Sequence, residues 1–255
     1  MYLLQGKGGN ILVHKAKAGL LVIDDDYVEN SPLLKKTLNK MGDIQYLINT
    51  HWHGDHTGGN KALGGKSTII AHKHVHKRLS NPQKLSLFKM ETEAQPREAL
   101  PDITYDRLLE IYHGSQHYSV QHFASGHTDG DSVIFINPAN VVHMGDHYFN
   151  GFFPFVDVEN GGDVKGMTRN VNAILKRIDD KTLVIPGHGQ LSNKTELKAY
   201  VEMLESTTAY IEQQLENGKT VKQIQEKGLP EQWQSWGNGF INEATWIAIV
   251  ADSLK

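Results

Sequence analysis

The sequence predicts an α/β fold, and three observations carry that expectation. Short apolar runs bounded by Gly, Asn and Asp recur on both sides of the midpoint. Between them lie segments with apolar residues at helical spacing and capping residues at their ends. Hydrophobic residues make up 39% and charged residues 22% of 255 positions, a balance suited to a soluble globular chain with a sizeable core.

Taken in order, the chain opens on strand-like Met1-Tyr2-Leu3-Leu4, and strands are expected at residues 11–13 and 20–23. Ser31 as N-cap and Pro32 in the first turn begin a helix whose Leu34, Leu38 and Met41 share one face. Strands follow at 46–48 and 68–71. Residues 73–106 are polar and rich in Gln, Lys and Glu; they read as helical, as a solvated face ahead of an insertion near a site. Further strands are expected at 133–136, 141–143 and 183–185. Asp163 should cap a helix that turns Met167, Val171, Ile174 and Ile178 inward. Asn193 and Glu196 read as a capping box for the longest helix, with Leu197, Val201, Leu204, Ile211 and Leu215 inward and Gly218 as its stop. A last helix is expected over 243–254. No Pro- or Ser-rich linker interrupts the run, so residues 1–255 are read as one domain.

Composition excludes several functions. With no cysteine there is no disulfide scaffold, thiolate zinc finger, iron–sulfur cluster or thiol nucleophile. A net charge of −3 and a pI near 6.5 leave no footprint for nucleic acid. No run approaches the roughly 18 apolar residues of a membrane span. The 14 histidines are a surplus that needs a cause.

Thr50-His51-Trp52-His53-Gly54-Asp55-His56 supplies that cause, directly after the strand at 46–48. His51 and His53 are two residues apart, so an extended backbone points both side chains one way. Asp55 and His56 precede the Thr57-Gly58-Gly59-Asn60 turn and can reach a neighbouring position. Imidazoles suit zinc, and a carboxylate adds the hard ligand that divalent metals accept. Three later segments each end a strand or tight turn in one ligand-type residue beside Gly: Ser125-Gly126-His127, His143-Met144-Gly145-Asp146 and Pro186-Gly187-His188-Gly189.

In this order the motifs resemble those of the metallo-β-lactamase fold superfamily, whose His-x-His-x-Asp-His signature is met by His51, His53, Asp55 and His56. The resemblance runs from Leu21-Val22-Ile23-Asp24 through Pro186-Gly187-His188-Gly189. It implies an αββα sandwich of two similar halves with a metal cleft at one edge. It also implies two Zn2+ per chain: one held by His51, His53 and His127, the second by Asp55, His56 and His188, with Asp146 bridging. Asp24 would lie behind the metal loop and orient it; the alternative is a turn-forming Asp that closes its strand. A water between the cations would become hydroxide near neutral pH, with Asp55 or Asp146 passing the proton on. The implied enzyme is a metal-dependent hydrolase of a β-lactam, lactone or other ester, working on a small molecule without nucleic acid or membrane partners.

Departures from the family narrow this. Most β-lactamases of the largest subclass carry Cys at the position of Asp146 and Lys three residues later, where Phe149 stands here. Glyoxalase-type thioesterases share the Asp but bind glutathione through basic residues near the C-terminus, where this chain has Trp233, Trp236, Phe240 and Trp246. Such a thioesterase is the first alternative, and an iron-dependent redox member such as a persulfide dioxygenase is the second. Trp52, Tyr148, Phe149 and Asn150 are candidate pocket residues, with core filling as the competing reading for the aromatics. His72, His74 and His76 are expected on a solvated strand-to-helix edge, and His14, His113, His117, His122 and His143 in core or surface roles. His147 adjoins Asp146, and packing is expected of it ahead of a place behind the metals. The chain's start lacks the basic and apolar stretches of a signal peptide. Because relatives of this kind are often exported, a periplasmic or secreted enzyme without its leader is favoured over a cytoplasmic one.

Overall fold

Continuous apolar runs, which suit strands buried on both faces, build the centre of the first sheet. In the computed structural model, which describes residues 1–255, the contacts divide the chain into two units. The first comprises residues 1–123 and 130–145, the second residues 124–129 and 146–255. In the first unit, strands β1 (Tyr2–Gln5), β2 (Asn10–Ala16), β3 (Gly19–Ile23), β4 (Ile44–Ile48) and β5 (Thr68–His72) lie side by side in that order. β1, β2 and β3 pair antiparallel, whereas β3, β4 and β5 run parallel, with Val22 beside Leu47 and Ile48 beside Ile70. Helix α1 (Ser31–Asn39) lays Leu34 and Leu38 on a core of Ile11, Val13, Leu20, Val22, Leu47 and Ile69. Two single-turn helices, α2 (Gly54–Thr57) and α3 (Asn60–Leu63), follow β4, and α4 (Lys73–Leu79) follows β5.

The helical reading of residues 73–106 holds only for α4 and is corrected beyond it. After Pro82 the chain forms a hairpin, β6 (Gln83–Leu85) and β7 (Met90–Thr92), and then β8 (Ile103–Tyr105), which pairs parallel with β5. Pro82, Pro96 and Pro101 interrupt any longer helix. Leu85 packs on Trp52, Ala71, Val75, Leu79 and Leu100, so this stretch is anchored to the core. The capping reading at Ser31 is corrected too: the helix already includes it, and its hydroxyl donates to the Val28 carbonyl at 2.6 Å.

β9 (Leu108–His113), β10 (Gln116–His122), β11 (Ser132–Asn137) and β12 (Val141–His143) pair antiparallel in sequence. β9 and β10 are half exposed and polar along one face, which hid them from an apolar-run criterion. Histidines without an assigned partner in the sequence tie these strands to the first sheet. The Tyr118 hydroxyl is 2.6 Å from His14 Nδ1, His113 Nε2 is 3.2 Å from the Gly19 carbonyl, and His143 Nε2 is 3.2 Å from the Asn10 carbonyl.

In the second unit, β13 (Leu183–Ile185) coincides with its expected span. Helices α5 (Val164–Leu175), α6 (Lys194–Glu216), α7 (Val221–Lys227), α8 (Glu231–Gln234) and α9 (Glu243–Ser253) make up much of the remainder. Asp163 caps α5 through the Gly166 N–H as expected, while buried Ile178 lies beyond the helix. Asn193 accepts from the Thr195 and Glu196 N–H groups, but Glu196 turns away to Ser192 Oγ at 2.6 Å, so only half of the expected box forms. Trp246 of α9 donates to Thr207 Oγ1 of α6 at 3.0 Å and stacks on Phe153. No helix is long and apolar enough to cross a membrane.

His72 is the clearest correction among the histidines, since it is buried rather than solvated. It stacks on His122 with ring centroids 3.6 Å apart, donates from Nε2 to the Asp106 carbonyl at 3.0 Å, and accepts at Nδ1 from the His74 N–H. Burial, and then the neighbouring His122 and His74, pull its pKa down to about 4. The unfolded chain therefore binds the proton more readily, and this site loses stability as pH falls from 6.5 towards 4. Replacing His72 with Phe keeps the ring and removes the titration. Thermal melts between pH 7 and pH 4.5 should show the variant losing roughly 3–5 °C less than the wild type over that window; parallel losses would contradict the assignment.

Candidate metal centre

β3 and β4 run parallel, so their C-terminal ends emerge together, and each delivers part of one loop system. β3 ends in Asp24, Asp25 and Asp26, all buried. Asp24 and Asp26 have φ of 60° and 63°, a left-handed conformation that Asp tolerates better than most residues. The Asp24 carboxylate accepts from the Thr50 N–H and hydroxyl at 2.8 Å each and from His56 Nδ1 at 2.7 Å. With its proton committed to Asp24, Thr50 Oγ1 accepts from His51 Nδ1 at 3.1 Å. One carboxylate thereby sets the tautomer of both rings and leaves Nε2 of His51 and His56 as lone-pair donors. These contacts tie Asp24 to the loop of residues 50–56, more than closing the strand would require.

His51 Nε2 lies 3.2 Å from His53 Nδ1, and His56 Nε2 lies 3.5 Å from Asp55 Oδ2. Two things behind this loop escaped the sequence reading. Asp26 accepts from the Gly8 N–H at 2.7 Å and from Asn30 Nδ2 at 2.7 Å, which pulls the glycine-rich residues 6–9 onto the loop. There Gly9 is obligatory, because a Cβ would sit 2.2 Å from the His56 ring. Asp25 accepts from the Gly59 N–H at 2.9 Å, and burial pushes its carboxyl well above the usual carboxylate range. The run of three acids immediately after a strand was the available signal.

In the second unit the positioning is done by main chain together with one stacked ring. His127 Nδ1 donates to the Phe155 carbonyl at 2.7 Å, and the Asp157 N–H donates to the His127 carbonyl at 2.9 Å. His127 Nε2 and His188 Nε2 lie 3.3 and 3.4 Å from one and the same Asp146 oxygen, Oδ2. His188 is held by the Asn150 N–H on its carbonyl at 2.9 Å and by the Phe149 ring stacked on its imidazole, centroids 5.0 Å apart.

Two groups of side chains could each hold a metal ion: His51, His53, His127 and Asp146, and Asp55, His56, Asp146 and His188. Within each group the ligand atoms lie within 4.8 Å of one another. All seven residues expected as ligands are in these groups, and Asp146 belongs to both. Neutral imidazoles, carboxylates and the absence of thiolate form a donor set that fits zinc and other borderline divalent cations.

The expected pocket residues divide. Trp52 is 3% exposed within an apolar cluster and Tyr148 is fully buried, its hydroxyl 2.8 Å from both Asn150 Oδ1 and Ser192 Oγ. Neither has surface to offer a substrate, so both are corrected to packing roles. Phe149 is a support for His188, and Asn150 keeps a half-exposed side chain bonded to the Gln190 carbonyl at 3.1 Å. His147 is buried with Nε2 3.1 Å from Asn170 Nδ2.

Known proteins share the fold of this chain and part of its sequence. The family profile described as Metallo-beta-lactamase superfamily matches residues 15–188. A hydroxyacylglutathione hydrolase of Polaromonas sp. is 28% identical over 66% of this chain and 57% of its own length. A probable metallo-hydrolase of Methanocaldococcus jannaschii is 29% identical over 76% of this chain and 88% of its own. Among solved structures, the inverting sec-alkylsulfatase of Pseudomonas sp. superimposes with a TM-score of 0.73 at 16% identity, over 98% of this chain but 48% of that one. A metallo-beta-lactamase from Pontibacter korlensis gives 0.62 at 19% identity, over 80% of this chain and 92% of that one.

Replacing Asp24 with Ala strands buried donors on Thr50 and His56. Urea unfolding of the metal-free chain should show a loss of ~1–3 kcal/mol, and competition with a chelating dye should show metal affinity falling about 10–100-fold. Unchanged affinity would mean that the two rings are oriented by something else.

Proposed function

The chain belongs to the metallo-beta-lactamase superfamily and has its fold, and from that premise we propose a dinuclear zinc hydrolase acting on a carbonyl-type substrate: a β-lactam, a lactone or another ester. The observation that carries the reading is the shared Asp146 oxygen, with two imidazole nitrogens 3.3 and 3.4 Å away. His51, His53 and His127 would hold one cation and Asp55, His56 and His188 the other, with Asp146 common to both. Such a pair supplies a positive centre that acidifies water to near neutrality and polarises a carbonyl oxygen.

The chain's own residues do the rest. Asp24 keeps protons on Nδ1 of His56 and, through Thr50, of His51, so that both rings act as neutral donors. Phe155 does the same for His127 through its carbonyl. Asp55, half-buried, would take a proton from attacking water and release it to the leaving group. No serine or cysteine nucleophile is needed.

A thioesterase is the second reading, favoured by the hydroxyacylglutathione hydrolase among the relatives. Against it stands the aromatic character of the C-terminal segment, with Trp233, Trp236, Phe240 and Trp246.

Metal analysis by plasma mass spectrometry on the purified chain should find two zinc ions, and His51→Ala should lose about one of them together with turnover of nitrocefin, a lactone or a simple ester. One iron per chain would instead favour the redox branch of the superfamily. Full metal content and retained turnover in His51→Ala would overturn the ligand assignment.

A further inference from the structure

The loop that carries His188 runs alongside residues 148–150 and is bonded to them on both sides of that histidine. The Gly187 N–H donates to the Tyr148 carbonyl at 3.0 Å, the Asn150 N–H to the His188 carbonyl at 2.9 Å, and Asn150 Nδ2 to the Gln190 carbonyl at 3.1 Å. Gly189 crosses Asn150 so closely, at a φ of 101°, that a Cβ would sit 2.7 Å from the Asn150 carbonyl oxygen. The Asn150 amide is fixed in one orientation. Its Oδ1 accepts from the Tyr148 hydroxyl at 2.8 Å, and its Nδ2 donates a second time, to Glu196 Oε2 at 3.2 Å. Turned over, the amide would set its oxygen against a carbonyl and a carboxylate. Glu196, in the first turn of α6, is itself held by the hydroxyl of buried Ser192 at 2.6 Å.

His188 needs such a hold more than the other candidate imidazoles do. His51, His53, His56 and His127 are buried, so packing confines their rings, whereas His188 is only partly buried. The course of its loop therefore weighs more in where its ring sits, and the side chain that spans this loop is that of Asn150.

Resting on the ligand assignment above, we propose that Asn150, its amide oriented by Glu196, is a positioning residue for His188. The cation assigned to Asp55, His56, Asp146 and His188 then depends on side chains outside both ligand groups. The other group, His51, His53, His127 and Asp146, takes no residue from the His188 loop and does not share this dependence. Asn150, expected from the sequence to face substrate, is assigned to the support of a ligand instead.

Stepwise zinc binding to the metal-free full chain, in competition with a chelating dye, tests this without reference to turnover. His188→Ala identifies the binding step that depends on that ring. Asn150→Ala keeps the main-chain bonds and removes only the amide. It should weaken the same step about tenfold and leave the other within about twofold. Glu196→Ala should weaken that step about threefold and add little on top of Asn150→Ala, since it acts through the same amide. Glu196→Gln keeps an acceptor and should match the wild type. If His188→Ala removes a step that Asn150→Ala leaves unchanged, or if Asn150→Ala weakens both steps equally, the proposal is overturned and the ligand assignment stands. Fully additive losses in the double variant would overturn the part given to Glu196. If His188→Ala changes neither step, the ligand assignment fails and the proposal falls with it.

Discussion

The buried carboxylate of Asp24 is the contact on which the metal loop depends. It sits at the end of a parallel strand in a left-handed conformation and accepts three hydrogen bonds from the next loop. A buried charge with fewer donors would be costly, and a donor without this charge would be orphaned. The strand end and the loop therefore stabilise one another. Asp25 and Asp26 extend the arrangement, one gripping the Gly59 N–H and the other drawing in the glycines of residues 6–9. The orientation of His51 and His56 follows from strand pairing several residues away, because β3 and β4 must lie in register before Asp24 can meet Thr50.

The second unit solves the same problem largely with main chain. A backbone carbonyl orients His127, and a backbone N–H with a stacked phenyl ring fixes His188. Side-chain control can be removed by one substitution; main-chain control can be removed only by moving the loop. Substitutions at the positioning residues of the two units should therefore differ in severity, with Asp24 the more vulnerable. In the aromatic run after Asp146, Tyr148 and Phe153 are buried and offer no surface to line a pocket.

The sequence made the candidate ligands legible because metal chemistry restricts residue type and spacing together: His51, His53, Asp55 and His56 form such a pattern. Strands with continuous apolar runs were legible for a similar reason, since burial on both faces excludes polar residues. β9 and β10 were not, because a half-exposed antiparallel pair carries Glu, Gln and His on its open face. The polar stretch after His72 misled because composition resembles a solvated helix until its prolines are weighed. His72 itself shows the limit of local reasoning: its partners are Asp106 and His122, 34 and 50 residues away, and neither could be named before the fold.

The proposed site turns on Asp146 serving two metal positions. Anomalous diffraction at the zinc edge, from crystals of the zinc-reconstituted chain, tests this directly. It predicts two peaks, one ringed by His51, His53 and His127 and the other by Asp55, His56 and His188, with the Asp146 carboxylate touching both. A single peak, or two peaks with Asp146 bound to neither, would contradict it.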